Sequence, residues 1–128
     1  LRYKIKDMAQ FNLLTPMLYT RELGETVKFY TEVLGFECTA YEEAWGWASV
    51  VKDDVEFMFA NPNEHIPYER AGFTGSFYIR TNDVDALWDK WNTKCDVCYG
   101  IEEFEYGMRE FAIYDNNGYL LQFGQPIE

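Results

Sequence analysis

Four hydrogen-bonding side chains occupy comparable places in four apolar, strand-like runs of the sequence. They are Thr15, Glu56, Ser76 and Gln122. If the fold brings them together, their hydroxyl, amide and carboxylate groups could hold a small polar ligand. They would hold a transition metal poorly, because none of them is an imidazole or a thiolate and Glu56 alone is a carboxylate. The set therefore favours ligand binding over metal catalysis.

The alternation of side chains along the strands predicts which residues share a surface with these four. Glu56 shares a face of its strand with Met58, and Ser76 shares a face with Tyr78. The opposite faces of both strands are uniformly apolar, so we expect them to pack against helices. The mixed faces would then line a cup whose aromatic and polar groups suit a flat ligand.

The first predicted hairpin extends this surface. Residues 53–54 are Asp-Asp and predict a two-residue turn, which pairs Ser49 with Met58 and places Trp47 on the same face. Trp45 lies two residues before Trp47 in the predicted strand, so we expect it on the cup as well. The alternative is that these aromatic rings fill a core or a dimer interface.

A similar count across residues 115–118 sets the register of the last hairpin. It places Phe111 beside Gln122 and Arg109 beside Gly124. The side chains that we expect to contact a ligand are therefore Trp45, Trp47, Ser49, Glu56, Met58, Tyr78, Arg109, Phe111 and Gln122.

The elements that would position these residues occur twice in the same order. A strand, a helix and three strands are predicted over residues 13–20, 22–34, 36–43, 45–52 and 55–61, and again over 76–81, 83–92, 97–105, 108–114 and 119–124. Gly35 ends the first helix, and Asn82 or Asp83 caps the second. We predict one α+β domain over residues 1–128, with module one at about 12–61, a linker at about 62–75 and module two at about 76–126.

Three stretches carry a family resemblance: YTRELGETVKFYTEVLGFE, FYIRTNDVDALWDKW and REFAIYDNNGYLLQFGQP. They resemble the two strand-helix segments and the closing hairpin of the vicinal-oxygen-chelate superfamily, which includes glyoxalase I, extradiol dioxygenases and bleomycin-resistance proteins. The resemblance implies two tandem βαβββ modules, a curved mixed β-sheet that forms a cup, helices on the outer face of that sheet, and usually a homodimer.

The same resemblance gives the four polar positions a meaning. In the metalloenzymes of the superfamily, metal ligands stand at the places of Thr15, Glu56, Ser76 and Gln122. Here one carboxylate and no imidazole remain, which is the pattern of the bleomycin-resistance branch, whose members lack the metal and bind the drug. The resemblance therefore implies that the protein needs no metal or other cofactor.

The charge and composition restrict the partners. The net charge is −11 and the calculated pI is about 4.4, which argues against nucleic-acid binding and favours cationic ligands. No apolar run approaches the roughly 18 residues of a membrane span. Three cysteines, an odd number, suit a reducing cytoplasm.

The remaining reactive residues have simpler interpretations. Cys95 and Cys98 form a lone CxxC, which follows a predicted helix and is expected to be structural rather than redox-active. His65 lies in the linker without an evident Ser or Cys partner. The acidic pairs and triplets at 42–43 and 102–105 are expected to be solvated, or else to surround the cup and attract a cation.

Three functions remain open at this point. The leading one is a metal-free protein that sequesters a flat aromatic or cationic small molecule. The second is an enzyme of the same fold with an atypical site, in which Glu56 acts as a general base on a carbonyl substrate. The third is a dimeric scaffold without a ligand. Glu56 itself could be a hydrogen-bonded anchor, a weak base or a solvated side chain.

Overall fold

A computed structural model describes residues 9–128 of the protein. Module one comprises β1 (Met17–Tyr19), α1 (Leu23–Lys28), β2 (Glu37–Glu42), β3 (Trp47–Lys52) and β4 (Val55–Ala60). Module two comprises β5 (Phe77–Arg80), α2 (Val84–Trp91), β6 (Asp96–Glu103), β7 (Met108–Tyr114) and β8 (Leu120–Pro126). None of the helices within residues 9–128 is long and apolar enough to cross a membrane.

Each module forms its own four-stranded mixed sheet. The strand orders are β1-β4-β3-β2 and β5-β8-β7-β6. In each sheet the first strand of the module runs parallel to the last, and all other neighbours are antiparallel. The repeated order of elements and the matching sheets confirm the predicted α+β fold of two tandem βαβββ modules.

Both helices form where the apolar spacing predicts them. The Asp83 carboxylate accepts a hydrogen bond from the Ala86 N–H at 3.1 Å and so caps the start of α2, as predicted. The first helix continues beyond Lys28 as a π-helical turn over Phe29–Val33. It ends before Gly35, whose φ of 85° is a backbone conformation that glycine adopts without strain.

The first strand is shorter than the sequence predicts. Residues 13–20 were expected to form it, but only Met17–Tyr19 pair with β4. Pro16 lacks an N–H to donate, although its carbonyl oxygen still accepts from the Met58 N–H at 2.8 Å. Before the proline, Leu13 and Leu14 are 85% and 92% exposed. The chain therefore presents an apolar segment to solvent just ahead of β1.

The first hairpin has the predicted register. Ser49 pairs with Met58 and Val51 with Glu56, across a turn in which Asp53 has a φ of 52°. A two-residue loop needs positive φ in this way, and acidic residues tolerate it. The alternation on β3 and β4 is therefore the predicted one.

Trp45 does not belong to this hairpin, so its predicted place on the strand is wrong. It ends a short 3-10 turn over Glu43–Trp45, and its side chain is 77% exposed. Gly46 follows with a φ of 63°, and a Cβ there would lie 2.2 Å from the Asn61 side chain. The left-handed glycine reverses the chain direction, so β3 begins only at Trp47.

The register of the last hairpin differs from the prediction by one residue. The observed cross-strand pairs are Glu110 with Gly124, Phe111 with Phe123 and Ala112 with Gln122. The cause is the length of the turn. Asp115 donates its N–H to the Tyr119 carbonyl oxygen at 2.9 Å, so only residues 116–118 form the loop, with Gly118 at a φ of 102°. The register predicted from the sequence assumes a four-residue loop, and a slip of one residue moves every side chain to the other face.

The predicted positions of Phe111 and Arg109 on the cup are therefore wrong. Phe111 is fully buried on the helix side of the sheet, where its ring lies 5.3 Å from that of Trp88. Arg109 reaches the start of α2 and forms an ion pair with Asp85 at 2.7 Å. Phe111 thus belongs to the core, and Arg109 holds the helix on the sheet.

The turn between β7 and β8 ties module two to module one. Tyr30 donates its hydroxyl proton to the Asp115 carboxylate at 2.7 Å. Thr20 donates to the Asn117 side-chain oxygen at 2.7 Å, and Asn116 donates to the Thr26 hydroxyl at 3.0 Å. Together with one continuous apolar cluster on the helix side, these bonds hold the two modules against each other.

Candidate ligand-binding site

We call the faces of the two sheets that point away from the helices the cup faces. In module one the register places Trp47, Ser49, Glu56 and Met58 on this face, whereas their strand neighbours are buried in the helix-side core. In module two the cup face carries Tyr78, Tyr99, Glu110 and Gln122, by the pairing of β5, β6 and β7 with their neighbours. Glu56 and Glu110 are the carboxylates on the inner strands of these faces. The edge strands β2 and β6 add Glu37, Glu42 and Glu102, which pair with Val51, Trp47 and Glu110.

The carboxylate of module one is held by two hydroxyl groups. Ser49 donates to one oxygen of Glu56 at 2.6 Å, and Thr15 donates to the other at 3.2 Å. Ser49 is buried, so its hydroxyl needs this partner. With both oxygens engaged, Glu56 is oriented as a hydrogen-bonded anchor on the cup face.

The carboxylate of module two was missed by the sequence analysis. Glu110 is 1% exposed and accepts a hydrogen bond on each oxygen. Tyr78 donates to Oε1 at 2.7 Å, and Tyr99 donates to Oε2. Gln122 in turn donates from Nε2 to the Tyr99 hydroxyl oxygen at 2.9 Å. The result is a continuous hydrogen-bonded network across β5, β6, β7 and β8.

The tyrosines of this network keep their protons at neutral pH. Burial, followed by the hydrogen bond to Glu110, raises the pKa of Tyr78 and the pKa of Tyr99 above that of a free tyrosine. Both bonded hydroxyls are therefore donors to the Glu110 carboxylate.

A glycine makes room for one of these donors. A Cβ on Gly124 would lie 2.2 Å from the Tyr78 hydroxyl oxygen and 3.2 Å from the Glu110 Cβ. The tyrosine therefore reaches Glu110 by crossing the backbone of β8 at the one residue without a side chain. The sequence already indicates this space, because Gly124 lies two residues after Gln122 and therefore on the same face of the strand.

Aromatic rings surround the Glu110 network. The Phe104 ring stacks on Tyr106 at 5.5 Å and meets Tyr99 edge-on at 5.6 Å. The Arg80 guanidinium lies 5.6 Å from the centre of the Tyr78 ring. These rings give the module-two cup face flat apolar walls and one cation at its border.

A cleft joins the two modules beside these residues. Its volume is about 330 Å³, and it is lined by Leu14, Pro16, Asp54, Val55, Glu56, Phe57, Ser76, Phe77, Tyr78, Ile79 and Arg80. Glu56 and Tyr78 thus border the same space from opposite modules. A cavity of this size lies in the range of small-molecule sites.

The structure brings together only part of the predicted set of polar residues. Thr15 and Glu56 share a hydrogen bond, whereas Gln122 bonds to Tyr99 instead. Ser76 lies just before β5, is exposed, and lines the same cleft as Glu56. The two most informative residues, Glu110 and Tyr99, could have been found only with the correct register of β7.

The donor set does not fit the metal of the metalloenzyme branches. Within residues 9–128 no group of three His, Cys, Asp or Glu side chains is placed to hold a metal ion. Glu56 already accepts from two hydroxyls, and the amide nitrogen of Gln122 is turned towards Tyr99 as a donor. A hydroxyl, an amide and one engaged carboxylate are weak ligands for a transition metal.

The comparisons with known proteins agree with this fold. The model of the Glyoxalase/Bleomycin resistance protein/Dioxygenase superfamily matches residues 11–123, and the chain belongs to this superfamily. No curated protein is significantly similar to the chain in sequence.

Solved structures include proteins that bind antibiotics. The bleomycin-binding protein of the bleomycin-producing Streptomyces verticillus, solved with copper(II)-bleomycin, is 25% identical with a TM-score of 0.70, over 91% of this chain and 97% of that chain. TnmS3, an antibiotic-binding protein from Streptomyces sp. CB03234, is 21% identical with a TM-score of 0.74, over 94% of this chain and 99% of its own.

An enzyme is similar to a comparable degree. Lactoylglutathione lyase from Agrobacterium tumefaciens is 20% identical with a TM-score of 0.67, over 89% of this chain and 92% of that chain. The fold alone therefore does not distinguish binding from catalysis, and the choice between them has to come from the residues of the cup.

Proposed function

We propose that the protein binds a flat small molecule in the cup and sequesters it without a metal and without chemistry. The observation that carries the proposal is the hydrogen bonding of Glu56 and Glu110, the carboxylates on the inner strands of the two cup faces. Each accepts hydrogen bonds on both oxygens, from Thr15 and Ser49 in one module and from Tyr78 and Tyr99 in the other. Groups fixed in this way orient a ligand rather than abstract a proton from it.

The relatives support a binding role. The bleomycin-binding protein and TnmS3 are both described as binders of an antibiotic, and both cover nearly the whole of this chain. The aromatic walls around Tyr99 and the half-buried Trp47 would supply stacking area for a flat ring system. The net charge of −11 would speed the capture of a cationic compound.

We also propose that the working form is a homodimer in the cytoplasm. The segment before β1 exposes three large apolar side chains, Phe11, Leu13 and Leu14, which a second copy could cover. The three cysteines are free, as a reducing compartment would leave them.

The alternative of catalysis through Glu56 gains no support from the geometry. Both oxygens of Glu56 are already oriented by hydrogen bonds, from Ser49 at 2.6 Å and from Thr15 at 3.2 Å, and hydrogen bonds to a carboxylate make it a weaker base. We therefore retain binding as the proposed function and treat turnover of a carbonyl compound as the outcome that would replace it.

The test compares two tryptophans that differ in position. Bleomycin and a panel of flat aromatic compounds are titrated against the wild type, Trp47→Ala and Trp45→Ala, with tryptophan fluorescence or calorimetry as the readout. Removing the ring of Trp47 is expected to weaken binding by roughly tenfold, about 1.4 kcal/mol. Trp45→Ala is the matched control and is expected to leave the affinity unchanged, because Trp45 lies outside the sheet. Binding that is insensitive to both changes would show that the cup is not the site.

A further inference from the structure

Glu110 is a charged side chain buried without a cation. It is 1% exposed, and it forms no ion pair with any residue between 9 and 128. Moving a carboxylate out of water is costly unless hydrogen bonds or an opposite charge compensate. Two tyrosine hydroxyls supply the hydrogen bonds. Arg80, whose guanidinium lies 5.6 Å from the centre of the Tyr78 ring, forms no ion pair with Glu110, and Glu102 on the neighbouring strand adds a second negative charge.

The proton positions in this network determine what it presents to the cup. Tyr78 and Tyr99 both direct their hydroxyl protons at the Glu110 carboxylate, which can only accept. The Tyr99 oxygen also accepts from Gln122. The Tyr78 oxygen accepts a hydrogen bond from no group within residues 9–128, so Tyr78 and Tyr99 offer acceptors but no hydroxyl donor to a ligand.

We propose that the cup face of module two selects organic cations that carry N–H donors, such as amidinium or guanidinium groups, and that Glu110 sets this preference by fixing the Tyr78 and Tyr99 hydroxyls as acceptors. The proposal rests on the function proposed above and names its ligand class. A ligand of this class would donate to the Tyr78 oxygen and lie within reach of the negative field of Glu110. Glu110 is a positioning residue in this account, because the tyrosines stand between it and the ligand.

The surroundings are compatible with a planar cation. A second cleft of about 240 Å³ opens beside the network and is lined by Tyr78, Arg80, Tyr106 and Met108. The Arg80 guanidinium lies 5.6 Å from the centre of the Tyr78 ring, which shows that the ring can hold a planar cation, and a ligand cation on that face would take the place of Arg80. The side chain of Arg80 is exposed, so a ligand cation that displaces it from the ring leaves it in contact with water.

The experiment uses two probes of nearly equal shape. Benzamidine is a planar cation with N–H donors, and benzamide is its neutral counterpart with a carbonyl acceptor. Both are titrated by calorimetry against the wild type, Glu110→Gln and Tyr78→Phe. Glu32→Gln is the matched control, since it removes the same charge from an exposed position on the helix side.

The wild type is expected to bind benzamidine at least about tenfold more tightly than benzamide. Glu110→Gln replaces one acceptor oxygen by an NH₂ donor, so one tyrosine hydroxyl must turn towards the cup as a donor. Its benzamidine affinity is expected to fall by roughly tenfold while its benzamide affinity holds or rises. Tyr78→Phe keeps the ring and is expected to lose the same preference, whereas Glu32→Gln is expected to keep it.

Three results would overturn the proposal. They are equal affinity of the wild type for the two probes, no binding of either probe, and a preference for benzamidine that Glu110→Gln and Tyr78→Phe leave intact. If other flat aromatic compounds still bind in a manner that Trp47→Ala weakens, the cation preference fails and the proposed binding function stands. If no compound binds in the cup, the proposed function fails as well.

Discussion

Glu56 and Glu110 occupy corresponding faces of the two sheets, but only the position of Glu56 could be predicted from the sequence. Glu56 follows a two-residue turn, and its neighbours could be counted from it without ambiguity. Glu110 stands in the run Arg109–Ala112, where a slip of one residue exchanges the acid for a phenylalanine. The sequence therefore predicted that Glu56 lies on the cup face, but it did not predict this for Glu110.

Gly124 is the residue on which the Tyr78–Glu110 contact depends. In Gly124→Ala the new Cβ would meet the Tyr78 hydroxyl at 2.2 Å, so the tyrosine has to leave its hydrogen bond. We expect the free energy of unfolding to fall by about 1–3 kcal/mol, because overpacking and a lost charged hydrogen bond add. Urea unfolding measures it.

A second strand glycine provides the control. A Cβ on Gly100 would lie 3.6 Å from Trp88, an ordinary contact distance. Gly100→Ala is therefore expected to change the free energy of unfolding by no more than about 0.5 kcal/mol. Equal effects of the two substitutions would argue against the crossing of Tyr78 over β8.

At the scale of elements, the apolar periodicity was enough to place both helices and all eight strands, while turns and boundaries were less predictable. Pro16 and Gly46 shortened β1 and β3 because backbone chemistry overrode the apolar pattern. The turn at 115–119 was miscounted because its first residue remains paired with its last. That turn also packs against module one, and the local sequence pattern does not predict these long-range contacts.

The buried Asp115 carboxylate in this turn gives a pH-dependent prediction. Burial raises the pKa of Asp115, although hydrogen bonds from Tyr30 and three backbone N–H groups favour its charged form. Unfolded aspartate ionises near pH 3.9, so this group contributes its full stability below about pH 3.9 and loses it as the pH rises through the folded pKa.

The measurement compares unfolding free energies of the wild type and Asp115→Asn from about pH 3.5 to pH 7. Because Asn does not titrate, we expect the difference between the two proteins to move in favour of the variant as the pH rises. A difference that is constant, or that moves in favour of the wild type, would contradict a raised pKa at Asp115.

At the scale of the whole molecule, the two modules share one core on the helix side, whereas Trp47 and Tyr78 on the cup faces stay partly exposed and the segment before β1 is exposed. The sequence predicted this duplicated α+β architecture correctly. It could not predict the partner of the exposed surface, because exposure becomes evident only after the chain has folded.

The proposed homodimer is tested by light scattering at micromolar concentration. The mass is expected to be twice the 15.1 kDa of the chain. Leu14→Glu should shift the mass towards the monomer, because it places a charge on the exposed apolar segment. Ile66→Glu changes an equally apolar, 60% exposed position in the loop before β5 and should leave the mass unchanged. A wild-type mass of 15.1 kDa would contradict the proposed homodimer.

The central claim is that the cup binds its ligand without a metal, and one titration tests it most directly. The protein is dialysed against a chelator, its metal content is measured, and the tightest aromatic ligand of the panel is titrated before and after addition of zinc or nickel. The account predicts less than about 0.1 equivalent of metal and the same affinity in both titrations, because Thr15, Ser76 and Gln122 cannot replace imidazole ligands. Stoichiometric metal that survives dialysis, or binding that appears only after metal is added, would contradict it.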